Sequence, residues 1–133
     1  MDNKITPLFS IIMPCYNSSK SVKKTIRLIL DQSFNDFELI VIDDGSTDST
    51  PTLLNGYAQQ DQRVHVVRQE NEGPGAARNT GLDNATGEFI LMLDSDDIYD
   101  QRMFELMYSR AVKTNAEVIV CRSTLFDDAS GDE

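Results

Sequence analysis

The sequence has few basic residues, few cysteines and no long apolar run, and each shortage excludes a class of protein. Lys and Arg number 12 against 22 Asp and Glu, so the formal net charge is −10 and an electrostatic nucleic-acid binder is excluded. The two cysteines, Cys15 and Cys121, have no His or Cys neighbours, which argues against a disulfide framework or a zinc site. The opening stretch MDNKITPLFSIIMP is too short in apolar residues for a membrane span and lacks a signal-peptide layout. We therefore expect a cytoplasmic protein, with attachment to the inner face of a membrane through further segments left open.

Apolar segments alternate with helical patterns along the 133 residues, which are 40% hydrophobic and have the size of one domain. Strands are predicted at 8–13, 37–42, 64–68, 89–93 and 117–121. Helices are predicted between them, with Ser18 or Ser19 capping the first and Gly87 ending the third. This order predicts an α/β fold with a doubly wound, mainly parallel sheet and helices on both faces. Residues 126–133 are expected to be a flexible tail.

The fourth predicted strand, FILML, runs directly into Asp94, Ser95, Asp96 and Asp97. An unbroken apolar run is typical of a central strand that is covered on both faces. Carboxylates at its carboxyl end would lie on the ligand side of the sheet and repel one another unless a cation lies between them. Mg²⁺ or Mn²⁺, completed by phosphate oxygens, suits such a site. The alternative is a solvated acidic turn that caps the next helix.

Two other strand ends carry residues that suit a nucleotide. Tyr16 follows the first strand and can stack on a base, and Asp43 and Asp44 follow the second and can accept hydrogen bonds from a base or ribose. If the first strand is central and the fourth lies on its far side, these residues share one crevice with the acidic cluster. No GxxxxGK[ST] segment occurs, so the site is not a P-loop.

Gly73 to Arg78, GPGAAR, opens the third predicted helix with glycines but follows the third strand and has Arg in the sixth position. These differences argue against a dinucleotide fingerprint. Arg78 either reaches a diphosphate or forms a salt bridge with Asp43 or Asp94. His65, the only histidine, alternates within the third strand and is assigned a structural role.

Four ordered segments, SIIMPCYN, FELIVIDDGSTDST, NEGPGAARNTG and FILMLDSDD, resemble those of family 2 glycosyltransferases of the GT-A fold. The resemblance runs from Phe9 to about Val120. It implies a nucleotide-sugar-binding half, most often for a UDP-sugar, that transfers the sugar with inversion to an acceptor hydroxyl on a glycan or lipid-linked carrier. It also implies a divalent cation that acts as Lewis acid on the leaving diphosphate.

The resemblance implies substrate contacts at Pro14, Tyr16 and Asp43 or Asp44, with Asp44 favoured, a metal ligand at Asp96, and Asp94 near the ribose. The full set of candidate substrate-binding residues is Pro14, Tyr16, Asn17, Asp43, Asp44, Arg78, Asp94 and Ser95, with Asp96 and Asp94 as candidate metal ligands. Asp97 is expected to support this cluster or to cap a helix.

Domains of this family continue well beyond this length, so we expect the chain to be the donor-binding half of a longer enzyme. Its general base is expected beyond residue 133, and self-association is expected through an exposed edge of the sheet. One alternative is a nucleotide-binding module without catalysis. Another is a haloacid-dehalogenase-like phosphatase, which is disfavoured because its DxD normally ends the first strand.

Overall fold

The computed structural model describes residues 6–125, which form four strands and four helices in strict alternation. In chain order these are β1 (Phe9–Cys15), α1 (Val22–Leu30), β2 (Phe37–Asp43), α2 (Thr50–Gln60), β3 (Val64–Arg68), α3 (Pro74–Asn84), β4 (Phe89–Met92) and α4 (Met103–Thr114). Within the described range, no helix is long and apolar enough to cross a membrane.

The strands form one parallel sheet in the order β3-β2-β1-β4. β1 therefore has β2 on one side and β4 on the other, which is the arrangement that a shared crevice requires, and Ile12 lies level with Ile40 and Met92. All four carboxyl ends lie at the same edge of the sheet, which is where ligands bind in open α/β folds. The predicted α/β class with a parallel sheet is confirmed.

Helices cover both faces of the sheet, as predicted. Apolar residues of α1, α2 and α4, among them Ile26, Leu54 and Phe104, pack with Ile11 and Leu39 in the main core. The opposite face is covered by α3, whose Ala77 packs on Ile40 and Ile42. α3 approaches β1 closely at Gly81, where an added Cβ would collide with the side chain of Ile12.

The prediction that β4 is a central strand covered on both faces is wrong. β4 pairs with β1 on one side only within the described residues, and Ile90 and Met92 are 41% and 43% exposed. α3 packs on β1 and β2 but leaves the same face of β4 uncovered. An unbroken apolar run thus indicated an apolar strand without showing what covers it.

The predicted fifth strand at 117–121 is absent: residues 116–125 form neither helix nor strand, and Val118 and Val120 are 78% and 87% exposed. Apolar alternation favours a strand only where an edge accepts it, and this segment does not pair with β4. The predicted tail at 126–133 lies outside the described residues.

Three predicted helix ends also differ from the structure. α1 begins at Val22 with Ser21 at its N-cap, so neither Ser18 nor Ser19 caps it. α4 begins at Met103, so Asp97 is not its N-cap. The third boundary is the end of α3, which stops at Asn84. Gly87 instead packs against Ser10, where an added Cβ would lie 2.6 Å from the Ser10 nitrogen.

Candidate functional site

Loops from the carboxyl ends of the strands enclose a cavity of about 640 Å³. A cavity of this size accommodates a ligand of nucleotide dimensions. All of the predicted site residues except Asp43 line it. The lining residues are Pro14, Cys15, Tyr16, Asn17, Ser18, Ser21, Asp44, Asn71, Gly73, Pro74, Arg78, Asp94, Ser95 and Asp96.

The carboxylate of Asp44 holds the loop between β3 and α3 against the end of β2. It accepts hydrogen bonds from the backbone N–H groups of Glu72 and Gly73 and from Nε2 of Gln69, each at 2.9 Å. Burial alone would raise the pKa of Asp44, but these hydrogen bonds outweigh it, so the pKa lies below its usual value. A carboxylate has about four acceptor positions, so three donors leave about one for a ligand.

Asp43 is buried and does not line the cavity. Its Oδ2 accepts a 2.6 Å hydrogen bond from Nη1 of Arg68, and its Oδ1 accepts one from the N–H of Ser46 at 3.0 Å. Arg68 also donates from Nη2 to the carbonyl of Ser46. The geometry therefore brings Asp44 into the cavity and places Asp43 behind it, in a pair that ties β2 to β3.

Asn17 lines the cavity, but its side chain is engaged in holding two loops together. It adopts a left-handed backbone conformation with φ of 47°, and its Oδ1 accepts hydrogen bonds from the N–H groups of Thr47 and Asp48 at 2.8 and 3.3 Å. Its own N–H donates to Oγ of Ser46. The loop after β1 is thereby fixed against the loop after β2.

Tyr16 precedes this anchored position and presents its ring to the cavity, with the residue 52% exposed. The ring is open to a flat ligand such as a base. Pro14 lies on the same wall, and Cys15 between them is buried. Burial raises the pKa of the Cys15 thiol to about 12, so this side chain is an uncharged part of the wall.

Arg78 on α3 reaches across the cavity to the acidic turn after β4. Its Nη2 lies 3.1 Å from Oδ1 of Asp94, and both side chains are partly exposed. Ser95 in the same turn forms a 3.0 Å hydrogen bond with Ser18. Of the two roles predicted for Arg78, the salt bridge with Asp94 is present, and its position on the cavity wall is compatible with the other.

The turn after β4 concentrates negative charge at one side of the cavity. Asp94 and Asp96 both line it and are exposed. Partial burial, and then the charges of Asp94 and Asp96, raise the pKa of Asp97 above its usual value. Exposed carboxylate oxygens are the donor set that a hard divalent cation prefers, so the residues fit such an ion. Between residues 6 and 125, no group of three His, Cys, Asp or Glu side chains is arranged to hold a metal.

Several cavity residues escaped the sequence reasoning. Asn71 donates from Nδ2 to the carbonyl of Asp44, and the N–H of Gly73, in a left-handed conformation with φ of 94°, binds the Asp44 carboxylate. The NEGPG segment that contains them is part of the family resemblance, but the sequence gives Asn71 and Gly73 no role of their own. Ser18 is expected only as a candidate cap of the first helix. No periodic pattern marks such residues, because they act through loop backbone and one hydrogen bond each.

These features define an α/β protein with a ligand cavity at the carboxyl edge of a parallel sheet, where nucleotides bind in doubly wound folds. The family whose profile matches residues 10–132 is described as "Glycosyl transferase family 2". The chain belongs to this family.

Relatives and solved structures agree with that membership. The chain is 36% identical over 128 residues to glycosyltransferase GlyG of Streptococcus pneumoniae, covering 96% of this chain and 42% of GlyG. Staphylococcus aureus TarS 1-349 in complex with UDP-GlcNAc superposes with a TM-score of 0.76 at 33% identity, over 81% of this chain and 32% of that one. The mannosyltransferase PcManGT of Pyrobaculum calidifontis, in complex with GDP-Man and Mn²⁺, gives a TM-score of 0.68 at 28% identity, over 86% and 34% of the two chains. The chain thus spans less than half the length of each.

Proposed function

We propose that this chain is the donor-binding part of a glycosyltransferase that moves a sugar from a nucleoside diphosphate, most readily UDP, to an acceptor hydroxyl. One observation carries the proposal: four strand-end loops bring Tyr16, Asp44, Arg78, Asp94 and Asp96 to a single cavity in a chain of this family. The UDP-GlcNAc complex of the similar protein TarS supports the choice of donor.

Each side chain has a role that follows from its geometry. The exposed ring of Tyr16 stacks on the base, and the remaining acceptor position of Asp44 binds a donor N–H or hydroxyl of the nucleoside. Arg78, already on the cavity wall, contributes positive charge near the diphosphate. Pro14, Asn17 and Ser95 shape the walls that hold these groups in place.

Asp96 and Asp94 would hold a divalent cation, Mn²⁺ or Mg²⁺, whose remaining ligands are water and diphosphate oxygens. Such an ion stabilises the negative charge that develops on the leaving diphosphate. Because Arg78 is paired with Asp94, its guanidinium would lie close to a diphosphate bound at this turn. The Mn²⁺ complex of the similar mannosyltransferase supports this cofactor.

The remaining parts of the reaction stay predictions. We propose that transfer proceeds with inversion, which needs a base that takes the acceptor's proton. We propose a glycan or a lipid-linked carrier as acceptor. Two cysteines without a disulfide, Cys15 and Cys121, agree with a reducing cytoplasmic location, at the inner face of the membrane where the acceptor requires it.

The test measures thermal stability of the chain with UDP, GDP and dTDP, each with and without Mn²⁺. A ligand that binds the folded state raises the melting temperature according to its concentration and affinity. We expect UDP to stabilise the chain most, with a further increase when Mn²⁺ is present. Asp96→Ala should remove the Mn²⁺-dependent increase and leave the fold intact, because Asp96 is an exposed loop residue.

Asp83→Ala is the matched control, since it removes an exposed carboxylate on α3 that does not line the cavity. The control should retain the full Mn²⁺ effect. Equal responses of Asp96→Ala and wild type would reject the metal assignment, and no response to any nucleotide would reject the donor site. Incubation with a generic phosphate ester should release no phosphate, which separates this function from the phosphatase alternative.

A nucleotide-binding module without catalysis is the second candidate. It rests on the same cavity, which can bind a nucleotide without a transfer step. Nucleotide-dependent stabilisation without any hydrolysis or transfer of the sugar from UDP-GlcNAc would support it for this chain. Release of UDP in the presence of an acceptor would support the enzyme.

A further inference from the structure

The backbone of Asp94 is held by a side chain that none of the proposed roles uses. The hydroxyl of Tyr99 accepts a hydrogen bond from the N–H of Asp94 at 2.8 Å and donates one to the carbonyl of Asp94 at 3.0 Å. One phenol group thus satisfies both backbone polar groups of the residue that begins the acidic turn.

Without the Tyr99 hydroxyl, the N–H and the carbonyl of Asp94 would have no hydrogen-bond partner, because no strand pairs with them among the described residues. Along β4, the N–H groups of Phe89 and Leu93 donate to carbonyls of the β1 side, at Leu8 and Ile12. In a parallel strand, alternate residues direct their backbone groups to opposite sides. Asp94 therefore directs its N–H and carbonyl to the outer edge of β4, where the described residues contain no further strand. The Tyr99 hydroxyl stands where a neighbouring strand would pair.

Tyr99 can act as a rigid support because its ring packs against the main core. Tyrosine has few rotatable bonds, so an anchored ring fixes the position of its hydroxyl closely.

The rest of the turn is held by two buried side chains, one on α1 and one just after it. Thr25 donates from Oγ1 to the carbonyl of Asp97 at 3.1 Å, and Gln32 donates from Nε2 to the carbonyl of Asp100 at 2.6 Å. The Oε1 of Gln32 also accepts the N–H of Phe104 in the first turn of α4. The turn from Asp94 to Asp100 is thus fixed at its far end by Thr25 and Gln32. At its near end, Arg78 and Ser18 contact the side chains of Asp94 and Ser95, and Tyr99 binds the backbone of Asp94.

We propose that Tyr99 is a positioning residue for the cation site: its hydroxyl sets the backbone of Asp94, and so the direction of the two carboxylates of the turn. This rests on the proposed function, in which Asp94 and Asp96 bind the metal. A carboxylate that must meet a cation at about 2.0–2.6 Å tolerates little displacement of its backbone. Tyr99 acts through Asp94 and does not line the cavity itself.

The test compares Tyr99→Phe with wild type in the full chain, using titrations of UDP alone and of UDP with saturating Mn²⁺. Phenylalanine keeps the packed ring and loses both hydrogen bonds. We expect UDP affinity without metal to change less than about twofold and the gain in affinity from Mn²⁺ to fall about fivefold or more. Hydrogen exchange at the Asp94 amide, measured without metal or nucleotide, should become faster.

Tyr57→Phe is the matched control, because it removes a tyrosine hydroxyl whose hydrogen bond is to the carbonyl of Lys23 on α1 and not to the acidic turn. It should leave the Mn²⁺ gain and Asp94 exchange unchanged. An unchanged Mn²⁺ gain in Tyr99→Phe overturns the positioning role, whatever happens to amide exchange. Equal losses of UDP affinity with and without metal also overturn it, since a general loosening of the fold predicts that result. No Mn²⁺ gain in wild type would reject the proposed cation site, and with it this role.

Discussion

Asp43 and Asp44 are adjacent at the end of β2, but Asp43 has a structural role and Asp44 is accessible from the cavity. Side chains of successive strand residues point to opposite faces. The carboxylate of Asp43, the last residue of β2, accepts hydrogen bonds from Arg68 and from the N–H of Ser46. Asp44 lies just past the strand, where it reaches the cavity and the backbone of Glu72 and Gly73. The family resemblance left open which of the two aspartates contacts the substrate. The hydrogen bonds in the structure hold Asp43 behind the cavity and leave Asp44 on its wall.

Asp44→Asn tests the structural share of that carboxylate. An amide has one acceptor oxygen and one donor nitrogen, so at least one of the N–H groups of Glu72, Gly73 and the Gln69 side chain loses its acceptor. We expect the free energy of unfolding at neutral pH to fall by about 2–3 kcal/mol, the usual effect of losing hydrogen bonds to a buried charged group. Urea denaturation measures it, with Asp83→Asn as the exposed control that should change stability by less than about 0.5 kcal/mol.

Wild type and Asp44→Asn should also differ in how their unfolding free energy depends on pH. The pKa of Asp44 is lowered from 3.8 in the folded state, so the unfolded chain takes up this proton at a higher pH than the folded chain does. The stabilisation is therefore complete above about pH 5 and is lost as the pH falls through 3.8 and the lowered value. The difference in unfolding free energy between wild type and Asp44→Asn should narrow on acidification below about pH 4. A difference that stays constant down to pH 2.5 would contradict the assignment.

At the scale of elements, α3 packs closely on β1 because Gly81 has no side chain. The Cβ of an alanine at position 81 would overlap the side chain of Ile12, which is fully buried. In contrast, Gly56 in α2 has no atom within 4 Å of an added Cβ. The two helical glycines therefore form a matched pair with opposite expected effects.

Gly81→Ala should destabilise the chain by about 1–3 kcal/mol through overpacking. Gly56→Ala should stabilise it by about 0.5–1 kcal/mol, because alanine loses less backbone entropy in a helix. Thermal unfolding of both variants checks the pair. Destabilisation by both would show that α2 is packed more tightly than described, and stabilisation by both would show that α3 moves away from β1 at little cost.

Strands and helices differed in how well the sequence predicted them. β3 was predicted at its observed limits, and β1 and β2 ended later than predicted by two and one residues. Helix starts were less accurate, because Ser18 and Ser19 look like N-caps but bind a neighbouring loop: the N–H of Ser18 donates to Thr50 and that of Ser19 to Asp48. Such long-range bonds leave no local pattern in the sequence.

The grouping of the candidate residues could be anticipated, because parallel strands align their carboxyl ends once the strand order is known. In the observed order, Tyr16, Asp44 and Asp94 lie at one edge of the sheet and line one cavity. Exposure of β4 was not predictable, since FILML is equally compatible with a covered and an uncovered strand.

At the scale of the whole molecule, apolar surface is concentrated at the β4 side. Ile90 and Met92 on β4, Leu106 on α4, and Val118 and Val120 after it are all exposed. The outer edge of β4 also carries backbone groups without a strand partner among residues 6–125. Exposed apolar edges of this kind favour pairing with another chain.

We therefore expect the chain to self-associate at concentrations of tens of micromolar and above, as sedimentation velocity would measure. Met92→Lys adds a charge to the exposed face of β4 and should shift the species toward monomer. Gln59→Lys adds the same charge on α2, which packs at the β2 and β3 side, and should leave association unchanged. Monomeric wild type at 100 µM, or equal effects of both substitutions, would contradict an interface at β4.

The Gln32 amide joins segments 72 residues apart in the chain. Its contact with Phe104 supplies an acceptor to the first turn of α4, which has no side-chain cap of its own. A bond with so large a sequence separation forms only after the chain has collapsed around α1. The acidic turn should consequently be among the last parts to reach its final shape during folding, so that cation affinity emerges only when nearly all the remaining architecture is complete.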